Sequence, residues 1–227
     1  MSDHGELAIY DMDRTITRTG TYTPFLIHAA LARAPWRLLL LPAALLAMLG
    51  YACKMMTRGR LKEINQHLLL GPHIARDELE PVTMSFAERV YSLNTLPGAL
   101  KQIEEDRAAG RRLVLATASY RLYVEAIAAK LGFDDVIATN SILGIDARVT
   151  AKIDGENCYG PAKLRMIETW LEAEGIDRAH VRVRFYSDHA SDAPVMEWAD
   201  EAFATNPSSK MRKLATRRGW PILDWGF

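Results

Sequence analysis

The sequence predicts an α/β fold with a doubly wound, mainly parallel sheet and an inserted all-helical domain. Short apolar strands alternate with amphipathic helices from about residue 95 to residue 224. This alternation is typical of parallel βαβ units that share one sheet. Residues 6–11 supply a first strand far upstream, whereas residues 16–94 show helical patterns only. We therefore expect a sheet domain built from residues 1–15 and 95–227, interrupted by a helical domain over residues 16–94.

The first strand ends in two carboxylates one residue apart, Asp11 and Asp13. Side chains alternate along a strand, but the chain turns at the strand's carboxyl end, where both aspartates can face one crevice. Ligands of open α/β sheets bind in that crevice. The pair therefore indicates metal binding combined with nucleophilic or acid–base chemistry.

The helical domain is predicted to contain four helices, over residues 21–34, 36–56, 60–70 and 75–92. The second is unusually apolar, because 16 uncharged residues, Leu38 to Cys53, lie between Arg37 and Lys54. A membrane-spanning helix needs about 20 apolar residues. Three interpretations stay open: a buried helix of an ordinary domain, a helix lying in a membrane interface, and a true span.

Charge is distributed unevenly, although the chain has 28 basic and 28 acidic residues. No acidic residue lies between Asp13 and Glu63, whereas this stretch carries eight basic ones. They are Arg14, Arg18, Arg33, Arg37, Lys54, Arg58, Arg60 and Lys62. A basic face of this kind can meet anionic lipid head groups or simply face water. It is interleaved with a long apolar run and not with spaced aromatic residues, so nucleic-acid binding is disfavoured.

The remaining elements follow a strand and helix rhythm. In chain order we predict helix 97–109, strand 112–117, helix 120–131, strand 136–139, a hairpin over 142–155, helix 161–174, strand 181–186, helix 193–199, strand 202–205, helix 208–217 and a short strand at 222–223. Proline at the start of a helix and glycine just after its end mark the bounds of helices 97–109 and 161–174.

Polar residues at the ends of these elements complement the first pair of aspartates. Thr117 ends the second strand, Asp188 follows the last long strand, and Lys163 lies in the first turn of a helix. Mg²⁺ needs only one or two carboxylates, together with waters and a substrate oxygen. A lysine at a helix N-terminus, beside free backbone N–H groups, suits a phosphate. The set indicates phosphoryl transfer.

These segments resemble the four motifs of the haloacid dehalogenase-like (HAD) phosphohydrolase superfamily. Asp11-x-Asp13-x-Thr15 is similar to the first motif, Thr117 to the second, Lys163 to the third, and Asp188-x-x-x-Asp192 to the fourth. Their order resembles the phosphoserine-phosphatase-like branch (subfamily IB), in which a helical cap lies between the first two motifs. The resemblance covers residues 6–16 and about 95–224 and implies a Rossmann-like core.

The resemblance implies a Mg²⁺-dependent phosphatase that works through an aspartyl-phosphate. Asp11 would be the nucleophile, and Asp13 would be the general acid and then the base. Thr117 and Lys163 would hold the phosphoryl group, with the neighbouring Ala118.

The implied metal site contains Asp11, Asp188 and the backbone carbonyl of Asp13. Asp192 would either support the metal shell or orient Lys163. Considered apart from the other motifs, Asp192 has a second interpretation, which is a helix N-cap.

Several residues beside the motifs have two interpretations. Ser119 can donate to the phosphate or cap the following helix, and Arg14 and Arg18 can bind an anionic substrate or form part of a basic face. Serine-specific members carry a carboxylate shortly after the first motif, where this chain has Thr19-Gly20-Thr21, so phosphoserine is disfavoured. The basic insertion favours an anionic or lipid phosphate. The apolar segment with basic flanks also resembles bacterial HAD enzymes that dephosphorylate phosphatidylglycerophosphate.

Other functions stay open: a soluble phosphatase of a small metabolite, a phosphotransferase, and a non-catalytic membrane- or protein-binding module. Two cysteines, Cys53 and Cys158, give no disulfide framework and favour a reducing compartment. The N-terminal residues lack the pattern of a signal peptide. We predict a cytoplasmic protein, with peripheral contact between residues 33–62 and the inner face of the membrane as the open alternative.

Overall fold

The computed structural model of the chain describes residues 5–144 and 146–226. Residues 1–4, which carry most of the segment examined for a signal peptide, lie outside the described residues, and so does Ile145 within the predicted hairpin.

Within the described residues, the sheet has eight strands. They are β1 (Glu6–Tyr10), β2 (His73–Ile74), β3 (Arg112–Tyr120), β4 (Asp135–Leu143), β5 (Val149–Asp154), β6 (Arg182–Ser187), β7 (Glu201–Thr205) and β8 (Ile222–Leu223). The α-helices of the described residues are α1 (Tyr22–Arg33), α2 (Leu41–Ala52), α3 (Arg58–Leu69), α4 (Arg76–Asn94), α5 (Pro97–Ala108), α6 (Arg121–Leu131), α7 (Pro161–Ala173), α8 (Ala193–Trp198) and α9 (Ser209–Arg218). Short 3₁₀ helices span Pro35–Leu40, Arg178–His180 and Ala190–Asp192.

The strand order is β2-β5-β4-β3-β1-β6-β7-β8. Strands β4, β3, β1, β6, β7 and β8 run parallel, whereas β5 is antiparallel to both β4 and β2. The predicted doubly wound, mainly parallel sheet is therefore confirmed. Strand β1 lies between β3 and β6, so the carboxyl ends of these three strands are neighbours.

The central strand β1 is buried on both faces of the sheet. Ile9 packs on one side in a cluster with Val114 and Phe185, and Tyr10 packs on the other side in a cluster with Leu115 and Tyr186. Side chains of a strand alternate between faces, and strands covered by helices on both sides read as continuous apolar runs. The burial of β1 explains why Leu7 to Tyr10 contains no charged residue. The same burial holds the next residue, Asp11, in a fixed place.

The structure departs from the predicted elements within residues 16–94. Strand β2 lies in the segment predicted to be all-helical and pairs with β5; its two residues are too few to show a period of two. The helix predicted over 36–56 is divided into the 3₁₀ helix Pro35–Leu40 and helix α2. Pro42 lies in the first turn of α2, where a proline is tolerated because that N–H has no helical partner.

The apolar segment is largely exposed. Only Ala44 and Ala47 of α2 are buried, which does not fit the interpretation of a buried core helix. By length and composition alone, Pro35–Ala52 could cross a membrane, and 11% of this stretch is buried. Length and composition are weak evidence for a membrane span.

Candidate active site

An open cavity of ≈ 400 Å³ lies at the carboxyl ends of β1, β3 and β6. Its lining includes the residues that the four motifs predicted, namely Asp11, Asp13, Thr117, Ala118, Lys163, Asp188 and Asp192. They come from four separate parts of the chain. They meet here because neighbouring parallel strands end at the same edge of the sheet and α7 begins beside it.

Asp11 follows β1 directly and is largely buried. Its Oδ1 accepts a hydrogen bond from Lys163 Nζ at 2.8 Å, and its Oδ2 accepts one from Thr15 Oγ1 at 3.3 Å. Burial raises the pKa of Asp11 to about 6, while the Lys163 ammonium opposes that rise. A carboxylate at this position is thus held in one orientation by a cation and a hydroxyl.

Lys163 is buried between two carboxylates. Its Nζ also donates to Asp192 Oδ2 at 2.7 Å, and Ser187 Oγ donates to the same oxygen at 2.8 Å. Burial would lower the pKa of Lys163, but the charges of Asp11 and Asp192 outweigh it and raise the pKa above its usual value. This geometry favours an orienting role for Asp192, the second of its two implied roles.

Asp188 lies beside Asp11, but among the described residues it forms no ion pair like the one between Asp11 and Lys163. Its backbone N–H donates to Thr15 Oγ1 at 3.0 Å, so Thr15 links the two aspartates. Burial, followed by the charges of Asp11 and Asp192, raises the pKa of Asp188 to about 8. This buried excess of negative charge suits a divalent cation.

Carboxylates of this kind fit Mg²⁺ better than a metal that prefers an all-protein cage. Within residues 5–144 and 146–226, no three His, Cys, Asp or Glu side chains form a metal-binding group. Mg²⁺ requires no such group, because it keeps several waters and takes one or two carboxylates. Asp11 and Asp188 supply that number, and both residues line the cavity.

Asp13 is fixed by neighbours on two sides. Its Oδ1 accepts hydrogen bonds from the backbone N–H and the hydroxyl of Thr21, at 2.7 and 2.8 Å, and its Oδ2 accepts one from Ser119 Oγ at 2.9 Å. Arg14, the next residue, has a positive φ of 66°, so the chain turns sharply here. Ser119 therefore contacts Asp13, and α6 begins at Arg121, after Tyr120, so the alternative of a helix cap at Ser119 is not observed.

The two predicted arginines are placed differently. Arg14 lines the cavity. Arg18 is not among the described residues that line the cavity. The backbone N–H of Arg18 donates to the carbonyl of Asn94 at 2.7 Å. Gly20 lines the cavity at the place where serine-specific enzymes are expected to carry a carboxylate.

Sequence reasoning missed two basic residues of α3 at this site. Arg58 lines the cavity, and its guanidinium lies 4.3 Å from the ring centre of Tyr159, another lining residue. Thr57 caps α3 by accepting a hydrogen bond from the backbone of Arg60. A threonine before a helical pattern is an N-cap signal, and it would have placed Arg58 at a helix start.

Lys62 is the second missed residue, and it is buried. Its ammonium donates to the carbonyl of Ala118 and to Asn157 Oδ1, the latter at 2.8 Å. It also lies 4.5 Å from the ring centre of Tyr120. Burial, with the charge of Arg58, lowers its pKa to about 7. Lys62 thus ties α3 to the bulge of β3, where pairing with β4 shifts between Thr117 and Tyr120.

Comparison with known proteins agrees with this geometry. A family model described as haloacid dehalogenase-like hydrolase matches residues 8–197, which include all four predicted motifs. The chain belongs to the haloacid dehalogenase-like hydrolase family. This membership confirms the predicted superfamily and the prediction of an enzyme of the hydrolase class.

Two relatives of this HAD protein differ in how much of their length it matches. The inhibition of morphological differentiation protein of Streptomyces azureus is 39% identical over 127 residues, which are 56% of this chain and 45% of the relative. The chain thus spans about half the length of that relative. A structure from Bordetella pertussis Tohama I, described as a protein with unknown function, is 26% identical with a TM-score of 0.87 and covers 98% of this chain and 99% of its own.

The fold of the chain is also similar to that of phosphoserine phosphatase. A structure described as a phospho-aspartyl intermediate analogue of phosphoserine phosphatase gives a TM-score of 0.61 at 17% identity, over 98% of this chain and 94% of that one. At this identity the likeness shows the shared fold alone.

Proposed function

We propose that this HAD protein is a Mg²⁺-dependent phosphatase that hydrolyses a phosphate monoester through an aspartyl-phosphate on Asp11. The observation that carries the proposal is the buried Asp11 carboxylate, which Lys163 and Thr15 hold at the floor of an open cavity. Lys163 is itself fixed by Asp192, so the nucleophile and the cation beside it are pre-positioned.

In the first step, an oxygen of Asp11 attacks the phosphorus, and the bond between the phosphorus and the ester oxygen breaks. Asp13 gives its proton to the departing oxygen. Lys163 and Thr117 hold the phosphoryl oxygens and offset their charge. The free substrate alcohol leaves, and the phosphoryl group stays on Asp11.

In the second step, the Asp13 carboxylate takes a proton from water as that water attacks the phosphorus. The bond between Asp11 and the phosphorus breaks, which releases phosphate and restores both aspartates. Ser119 and Thr21 hold Asp13 in place, so this side chain can serve both steps from one position.

Mg²⁺ held by Asp11, Asp188 and the carbonyl of Asp13 would supply the charge that lets two anions approach. Two unit charges 4 Å apart repel by about 4 kcal/mol at an effective dielectric near 20. Lys163 forms ion pairs with both Asp11 and Asp192, and within the described part of the chain Asp188 has no such partner.

The substrate that best suits the cavity carries a second anionic group near the phosphate. Arg14 and Arg58 line the wall around the aspartates, and Tyr22 and Tyr159 give it aromatic surface. A lipid phosphate such as phosphatidylglycerophosphate has this chemistry, and the acid-free helical segment supports it. A small anionic metabolite is the alternative, and a cavity of ≈ 400 Å³ admits one. The cytoplasmic location stays a prediction.

A phosphate-release screen tests this proposal. The panel contains soluble phosphate monoesters and lipid phosphates in mixed micelles, each assayed with Mg²⁺, with EDTA, and with Mg²⁺ restored. We expect release from at least one substrate, its loss in EDTA and its return with Mg²⁺. Preference for the lipid panel supports the lipid substrate, and preference for soluble esters supports the metabolite.

Two outcomes would contradict the proposal. Silence over the whole panel with Mg²⁺ present would favour a non-catalytic binding module. Full activity in EDTA would show that the reaction does not need a divalent cation.

A further inference from the structure

Helix α2 presents its large apolar side chains outward and its small ones inward. The residues with the least exposure recur every third position, at Leu41, Ala44, Ala47 and Gly50. In contrast, Leu46 is 67% exposed and Leu49 is 61% exposed. A helix in an ordinary domain buries its large apolar residues, so this orientation is the reverse of the usual one.

The exposed apolar surface continues at both ends of α2. We define the apolar face as the exposed large residues of this region, which are Trp36, Leu39, Leu45, Leu46, Met48, Leu49, Tyr51 and Met55. Leu39 and Met55 are 81% and 80% exposed. A contiguous apolar surface of this kind marks an interaction site more often than a random feature of a monomer.

The charged residues in the chain segment that carries the apolar face are all basic. Arg37 precedes α2 and Lys54 follows it, and the sequence has no acid from residue 14 to residue 62. Some basic residues nearby are engaged, since Arg33 pairs with Glu78 and Arg60 with Glu63. In the described part of the chain, Lys54 and Arg58 form no ion pair with an acid, so their charge remains available.

A short connection in the chain links the apolar face to the candidate active site. Helix α2 ends at Ala52, and α3 begins at Arg58, a lining residue of the cavity. The short connection carries Lys54 and the exposed Met55. Met55 closely precedes Arg58 in the chain, so a surface in contact with Met55 would also lie near the rim of the cavity.

We propose that the apolar face docks on an anionic lipid bilayer, with α2 lying in the plane of the interface. Outward leucines would enter the boundary between head groups and acyl chains, and Lys54 and Arg58 would meet anionic head groups. A second copy of the chain is a poorer occupant, because a symmetric contact would bring the same acid-free basic rim against itself. The proposed docking does not depend on the proposed function. Only the idea that docking presents a lipid phosphate to Arg58 rests on it.

Vesicle co-sedimentation of the full chain tests the docking without any need for activity. The probes are vesicles of phosphatidylcholine alone and of phosphatidylcholine with phosphatidylglycerol, each at low and at high salt. We expect binding to the anionic vesicles at low salt, and weaker binding at high salt or without phosphatidylglycerol. The triple variant Leu39→Gln, Leu46→Gln, Leu49→Gln should lose binding by more than about tenfold, and Lys54→Gln should weaken it about fivefold.

A matched control carries the same chemical change elsewhere. Met84→Gln with Leu93→Gln alters two exposed apolar residues of α4, outside the apolar face, and should bind like the wild type. All the substituted side chains are exposed, so unchanged thermal unfolding is expected throughout and is measured alongside.

Three results would overturn the proposal. The first is an absence of binding to either vesicle at low salt. The second is binding that the triple variant retains while the α4 control loses it. The third is a concentration-dependent dimer of the wild type that the triple variant abolishes, since a second copy would then cover the apolar face.

Discussion

Phosphate release falls by at least about 10³-fold when Asp11 is replaced by Asn, because an amide oxygen is a poor nucleophile towards phosphorus. The substitution keeps the shape of the side chain, and its carbonyl can still accept from Lys163 or Thr15. The fold should persist because Lys163 keeps its bond to Asp192. The measurement is steady-state phosphate release with Mg²⁺ on the best substrate of the screen.

The control for this variant is Asp224→Asn, which makes the same chemical change on an exposed residue after β8. It should retain wild-type activity, and both variants should show circular dichroism spectra like that of the wild type. Near-normal turnover by Asp11→Asn, in a preparation matched to a mock purification, would remove Asp11 from the mechanism.

Replacing Lys163 with Met is expected to reduce both activity and stability. The substitution leaves the Asp11 and Asp192 carboxylates buried without their shared cation. Removing one partner of a buried ion pair typically costs about 3–5 kcal/mol. Urea unfolding in EDTA measures the loss without compensation by a bound metal.

The physical cause of this loss can be separated from a general packing defect. In the variant, the Lys163 ammonium no longer opposes the burial that raises the pKa of Asp11. The folded-state pKa of Asp11 then lies further above its unfolded value, so the lost stability is largest at high pH. It shrinks as the pH falls through the raised pKa and disappears below the unfolded one. The double variant Lys163→Met, Asp192→Asn should recover part of the stability, because it removes one buried charge. A loss that is equal at all pH values and unrelieved by the second substitution would contradict this account.

Most of the candidate active site was predictable because its residues lie at or near the ends of regular elements. Asp11 and Asp188 each follow an apolar strand, and parallel strands end at one edge of a sheet. Thr117 lies at the bulge near the end of β3, three residues before the strand ends at Tyr120. Lys163 follows a proline at the start of a helix. Local patterns were sufficient to place these groups in one crevice before any packing was known.

The missed features depend on packing between distant segments. Arg58 and Lys62 are two of the eight basic residues between Asp13 and Glu63. The sequence does not distinguish them, whereas the packing of α3 against the bulge of β3 buries Lys62 and leaves Arg58 at the cavity. Likewise, the composition of α2 shows that it is apolar but not which side faces the domain. The placement of Ala44 and Ala47 against the domain settles that orientation.

The central claim is that Asp11 acts as the nucleophile and Asp13 as the general acid and base. Trapping the aspartyl-phosphate intermediate tests this claim most directly. In an Asp13→Asn variant the base for the second step is missing, whereas p-nitrophenyl phosphate has a leaving group that needs little help from an acid. We predict a burst of p-nitrophenol that is stoichiometric with enzyme, and a phosphoryl adduct on the peptide that carries Asp11 after acid quench and mass spectrometry. Turnover without a burst, or an adduct on a different residue, would contradict the account.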